Sequence, residues 1–125
     1  MEIKDLTKAE EQIMQILWQI KKGFVKDVID HLPEPKPAYN TVSTIIRILE
    51  TKGFIGHETF GKAHNYYPLI SREDYKRHAT DKLLGNYFEN SVESMFSFFV
   101  KEEKLDLDDV DEILKMINKL KKKEK

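Results

Sequence analysis

"AYNTVSTIIRILETKG", residues 38–53, reads as one amphipathic helix with an unusual polar side. At about 100° per residue, Val42, Ile45, Ile46 and Leu49 fall on one stripe, and Asn40, Ser43, Thr44, Arg47 and Thr51 fall on the opposite one. A solvated helix face usually carries Glu, Lys and Gln, which favour helix and tolerate water. This face carries short hydrogen-bonding side chains that compete for the helix backbone, and no acid until Glu50 at its margin. In a chain that is 34% charged, such a face calls for a role other than contact with water.

The flanking sequence supplies a frame. "VKDVIDHL" (25–32) places Val25, Val28, Ile29 and Leu32 on one stripe about two turns long, too short to stand alone. "PEPKP" (33–37) then breaks the helix, with Pro37 expected in the first turn of the next one. Upstream, "LTKAEEQIMQILWQIKKGF" (6–24) opens with Thr7 three residues before Glu10, a capping box. Ile13, Ile16, Leu17 and Ile20 follow at helical spacing, with Met14 and Trp18 as a second flank. Lys21 and Lys22 suit the negative end of that helix, and Gly23 suits a left-handed cap. Downstream, "FIGHETF" (54–60) and "HNYYPL" (64–69) are β-prone runs separated by Gly61–Lys62–Ala63, a hairpin. Pro68 should end the second strand or lie on a sheet edge.

Ser71, with Asp74 three residues on, starts a new helical region through "REDYKRHATDKLLGNYF" (72–88). "SVESMFSFFVKEE" (91–103) puts Val92, Met95, Phe96 and Phe99 on one face. "DLDDVDEILKMINKLKKK" (106–123) carries acids in its first turn and lysines in its last, as the helix dipole prefers, with Val110, Ile113, Leu114, Ile117 and Leu120 as its stripe.

The expected fold is mostly α: a winged helix-turn-helix domain over 1–70, of three helices and a two- or three-stranded wing, followed by a helical dimerisation domain over 71–125. In a winged helix the second helix of the motif enters the DNA major groove and the hairpin lies near the backbone or minor groove. The face at 38–53 then has a physical role. Asn40, Thr41, Ser43 and Thr44 occupy the turns that reach base edges, where Asn bonds adenine and Ser or Thr serves either bond sense. Arg47 suits a phosphate or guanine, Tyr39 a phosphate, and Lys62 and His64 the backbone at the wing.

Composition excludes other classes. There is no cysteine, hence no disulfide framework, thiolate metal site or cysteine nucleophile. The N-terminus is polar and acidic rather than a signal sequence, and no apolar run approaches the roughly 20 residues of a membrane span, so a cytoplasmic protein without membrane insertion is expected. Net charge is −1, with nine basic and nine acidic residues up to residue 70 and twelve and thirteen beyond it. Any nucleic-acid site must rest on local arrangement rather than on global charge. The lysine-rich end, "KLKKKEK" (119–125), reads as a solvated helix tail.

His57 and His64 flank the wing tip and could face each other, but without a carboxylate partner they make an incomplete metal site. His31 and His78 lack ligand spacing. Asp106, Asp108, Asp109 and Asp111 lack the glycine and terminal glutamate of a calcium loop. No phosphate-binding glycine loop or nucleophile–base pair is present, so no enzyme, metal or cofactor is expected. The rival reading is a winged-helix protein–protein adaptor without DNA binding, which near-neutral charge favours.

Tyr75, Leu84, Tyr87, Phe88, Val92, Met95, Phe96, Phe99, Val110, Ile113, Leu114 and Ile117 are a heavy apolar load for short helices with little core of their own. A second copy of the chain is the better sink, and a dimer suits the reading of two half-sites about 34 Å apart.

"LTKAEEQIMQILW", "AYNTVSTIIRILETKGFI", "GKAHNYYPLISREDY" and "LDLDDVDEIL" together closely resemble the penicillinase repressor family and its related copper-responsive repressors, colinearly from Leu6 to Leu114. The resemblance implies a homodimeric winged-helix repressor on a palindromic operator, dimerising through residues from Ser71 to about Leu120. It places the family's reading positions on Asn40, Thr41, Ser43 and Thr44 and its wing cation on Lys62. A membrane sensor or protease partner belongs to the β-lactam-responsive members, which are cleaved at an Asn–Phe bond; this chain has Phe98–Phe99 there. The copper-responsive members end in a cysteine-rich motif, absent here. The resemblance thus implies repression and leaves the inducer open.

Overall fold

The computed structural model describes residues 2–123. Two compact units divide the chain, one running through Ala79 and the other starting at Thr80. The division therefore falls inside a helix rather than at the sequence break near residue 70.

In the first unit, α1 (Lys8–Ile20) starts at the expected capping box: the Thr7 side chain accepts from the Glu10 backbone N–H and Glu10 Oε1 accepts from that of Thr7, at 3.2 and 2.9 Å. Its C-cap is Lys21, at φ 74°, and not Gly23. Gly23 instead forms an antiparallel bridge with Tyr66, with N···O distances of 2.9 and 2.8 Å in the two directions. A Cβ at Gly23 would sit 2.7 Å from Ile20 Cδ1 and 3.3 Å from Asp27 Cβ. Close approach, not left-handed backbone, is what favours glycine there, since a Cβ would push the end of the Ile20 side chain aside. The bridge is a minimal third strand beside the wing.

α2 (Val25–Asp30) and α3 (Tyr39–Thr51) form the helix-turn-helix. Pro37 lies before the α3 N-cap, Ala38, and so outside the helix. Gly53, at φ 85°, follows its C-cap Lys52. β1 (Ile55–Phe60) pairs antiparallel with β2 (Ala63–Pro68), from Ile55 opposite Pro68 to Phe60 opposite Ala63. The turn is only Gly61–Lys62, with positive φ at Gly61 alone, the type II′ pattern. Pro68 ends β2 as expected.

The core is built by helical and strand periodicity together. Met14 and Leu17 of α1, Val28 of α2, Val42, Ile46 and Leu49 of α3, and Phe54 and Ile55 at the start of the wing are all buried. Ile45, on the margin of the α3 stripe, is partly buried against them. Burying a side chain of this size contributes about 1.5–3 kcal/mol, so six-residue α2 is stable through this packing and not by itself. Glu10 is the one buried charged residue in the described chain. Its carboxylate takes the Lys52 ammonium at 2.6 Å, which joins the start of α1 to the end of α3.

α4 (Arg72–Phe88) is capped by Ser71, whose Oγ accepts from the Asp74 backbone at 3.0 Å. Its first turns belong to the first unit. The Tyr75 ring lies against Trp18 and Phe54, and its hydroxyl accepts from the Leu6 backbone at 3.1 Å. Tyr75, expected among the dimerisation residues, thus completes the N-terminal core instead. Trp18 Nε1 donates to the Ile70 carbonyl at 2.9 Å and fixes the same junction.

The second unit holds the rest of α4 with α5 (Val92–Lys101) and α6 (Leu107–Lys123). Glu89 and Asn90, both at positive φ, close α4, and Ser91 caps α5. Asp106 and Asp109 accept from each other's backbone N–H at 2.9 and 3.2 Å, so two acids expected to favour the helix dipole also cap α6 reciprocally. Leu84, Phe88, Met95, Phe96, Phe99, Val110 and Ile113 are half-buried, whereas Tyr87, Val92, Leu114 and Ile117 are exposed. Between residues 80 and 121 no residue is buried. The Phe98–Phe99 bond lies inside α5. The last two residues of the lysine-rich end fall outside the described residues. Among the described residues no helix is long and apolar enough to cross a membrane.

Candidate nucleic-acid interface

Because Val42, Ile46 and Leu49 turn inward, 3.6-residue periodicity delivers the opposite face of α3 to solvent. Tyr39, Asn40, Thr41, Thr44 and Arg47 are exposed, and Ser43 is half-buried. Two of these polar groups, and Thr51 one turn further on, are ordered by their own helix. The Thr44 hydroxyl donates to the Asn40 carbonyl at 2.8 Å, Arg47 Nε to the Ser43 carbonyl at 3.5 Å, and the Thr51 hydroxyl to the Arg47 carbonyl at 3.0 Å. The acid at the margin, Glu50, is bonded to His57 Nδ1 of β1.

Beside this face, α3 and the wing enclose an open cleft of about 460 Å³. Lys26, Arg47 and Lys62 line it together with Tyr39, Ser43 and His64, and no carboxylate does. Three cations from three elements therefore converge within a chain of net charge −1, a local field that the overall balance conceals. Spacing alone found Arg47, Lys62, Tyr39, Ser43 and His64; it missed Lys26. A signal was present: Lys26 occupies the second position of α2, where the helix dipole disfavours a cation. Tyr66 forms the floor, its hydroxyl pushed above the usual phenol range first by burial and then by Glu50.

His57 and His64 do face each other, as parallel rings with centroids 4.0 Å apart and planes within 4°. Their nitrogen lone pairs lie in the ring planes, so stacked rings do not aim at a common ion. A carboxylate partner does exist, since Glu50 reaches His57 from α3. It ties α3 to the wing. Among the described residues no group of three or more His, Asp or Glu side chains is placed to hold a metal.

Three helices, a paired wing and a polar helix face beside a cationic cleft define the winged helix-turn-helix class. The penicillinase repressor family model matches residues 6–119, and the chain belongs to that family. It is 27% identical over 116 residues to the methicillin resistance regulatory protein MecI of Staphylococcus aureus strain N315, covering 92% of this chain and 94% of that one. It is 23% identical over 124 residues to the penicillinase repressor of Bacillus licheniformis, covering 98% and 97%. The solution structure of the DNA-binding domain of the repressor BlaI superposes with a TM-score of 0.52 at 27% identity, over 59% of this chain and 92% of that domain.

Proposed function

We propose that this protein is a cytoplasmic, non-enzymatic repressor that binds duplex DNA as a homodimer and occludes a promoter carrying a palindromic operator. The observation that carries the reading is the acid-free exposed face of α3 set beside the Lys26–Arg47–Lys62 cleft. Asn40, Thr41, Ser43 and Thr44 read base edges, and the three cations with Tyr39 and His64 hold phosphates on either side of the helix. The apolar surface on α4 beyond Thr80, α5 and α6 joins two copies, with exposed Tyr87, Leu114 and Ile117 beside half-buried Leu84, Phe88, Phe96 and Phe99. Residues 1–70 act as the reading domain, and the helices after residue 71 set the half-site spacing.

A gel shift with the DNA upstream of the gene tests the reading. Retardation that resists excess scrambled duplex at 0.1 M salt, on the order of the usual conditions for such proteins, is expected. No retardation even at low salt, where electrostatic binding is strongest, would leave the protein–protein adaptor as the better account.

A further inference from the structure

Three hydroxyls or amides on the α3 reading surface, those of Asn40, Thr41 and Ser43, make no hydrogen bond within the described protein and stand free to donate or accept. Thr44 differs. Its only hydroxyl proton is committed to the Asn40 carbonyl at 2.8 Å, since a carbonyl oxygen can only accept. The bond also selects the side-chain rotamer, because a β-branched residue in a helix has few staggered choices. What the exposed Thr44 side chain keeps for another partner is a methyl group and an oxygen lone pair.

We infer that Thr44 is a specificity-determining residue that reads the C5-methyl group of thymine in each half-site, by apolar contact rather than by hydrogen-bond donation. The inference rests on the DNA-reading assignment above and deepens it. Thymine is the base whose major-groove edge carries a methyl group, and a Thr methyl is one of the side-chain groups that meets it. Donation to a guanine or thymine oxygen would require the hydroxyl to leave Asn40, whereas methyl contact leaves the helix as it stands. Asn40, one turn earlier on the same face, keeps its carboxamide free for a neighbouring adenine.

The test uses the full-length protein and a duplex selected by it from a random-sequence pool. Each thymine of the selected duplex is replaced in turn by deoxyuridine, which removes only the methyl group. For the wild type, one position per half-site should lose about fourfold in affinity, the size of burying one methyl group. Thr44→Val, which keeps the shape and discards the hydroxyl, should show the same ratio between the two duplexes. Thr44→Ser, which keeps the hydroxyl and discards the methyl, should bring that ratio to one. A ratio cancels any general loss of affinity or helix propensity in the variants. Equal wild-type binding to every deoxyuridine duplex overturns the inference and leaves the repressor reading intact. So does a ratio that survives in Thr44→Ser and vanishes in Thr44→Val. Failure of the wild type to enrich any duplex overturns both.

Discussion

The two units differ in how each disposes of its apolar surface. The first closes around Met14, Leu17, Ile46, Leu49 and Phe54, all fully buried, and aims its polar faces at solvent. The second leaves every side chain from residue 80 to 121 at least partly open, with Leu107 83% and Tyr87 76% exposed. A unit with a closed core has a stability independent of protein concentration. One whose apolar surface is completed by a second copy does not. Trp18, the single tryptophan, packs on Tyr75 and bonds Ile70, so its fluorescence follows the first unit, whereas far-ultraviolet circular dichroism follows both. In urea the tryptophan midpoint should stay fixed as protein concentration rises, and the ellipticity change from the C-terminal helices should move to higher urea. Coincident, concentration-independent transitions would erase the distinction.

The largest effect is expected in the closed core. Leu49→Ala empties a fully buried site between α3 and its neighbours and should cost about 2–5 kcal/mol by tryptophan-detected unfolding. The matching change in the second unit has a different readout. Leu114 is 52% exposed, so Leu114→Asp should leave the tryptophan midpoint in place. It should weaken self-association about thirtyfold, as for one well-buried interface residue at about 2 kcal/mol, measured by light scattering across the micromolar range. An unchanged mass would move the dimer interface elsewhere.

The contrast also governs what was legible in sequence. The α3 stripe of Val42, Ile46 and Leu49, the Thr7–Glu10 box and the acids in the first turn of α6 are local patterns at helical spacing, and local patterns can be read without the fold. The misplaced residues depend on distant partners. Tyr75 looked like one more aromatic of the C-terminal helices because Leu6, Trp18 and Phe54 meet it only after folding. Gly23 looked like a cap because its partner strand residue, Tyr66, is 43 positions away on a bridge that no pattern announces. The cationic cleft was half legible: Arg47 and Lys62 followed from motif position, whereas Lys26 needed the packing of α2 beside the wing.

A smaller effect separates the units by pH. Burial alone would raise the Glu10 carboxyl pKa, but the Lys52 ammonium and the Thr7 backbone N–H outweigh it, and the net shift is downward from 4.5. A depressed folded-state value adds stability that is fully present above the unfolded value and is lost as pH falls through the folded one. Glu10→Gln should therefore destabilise the first unit by about 1–2 kcal/mol near neutrality, in the range of a hydrogen bond to a charged group. The gap from wild type should shrink below pH 4.5. A gap that is constant with pH would mean that the capping geometry, and not the charge on Glu10, supplies the stability.

The smallest expected effect tests the residue that sequence reading missed. Lys26 is exposed and contributes no core packing, so Lys26→Ala should leave both unfolding midpoints within about 0.5 kcal/mol. If its ammonium neutralises one phosphate beside the α3 helix, its loss lowers the slope of log affinity against log salt by about 0.9 for each protomer bound. The preference among base sequences should not change, because phosphate contacts carry no direct sequence information. Lys22 is the control. It is also exposed, but its ammonium is paired with Glu58 at 3.3 Å and does not line the cleft, so Lys22→Ala should leave the slope near the wild-type value. Equal slopes for Lys26→Ala and Lys22→Ala would remove the cleft from the interface and leave the α3 face to carry binding alone.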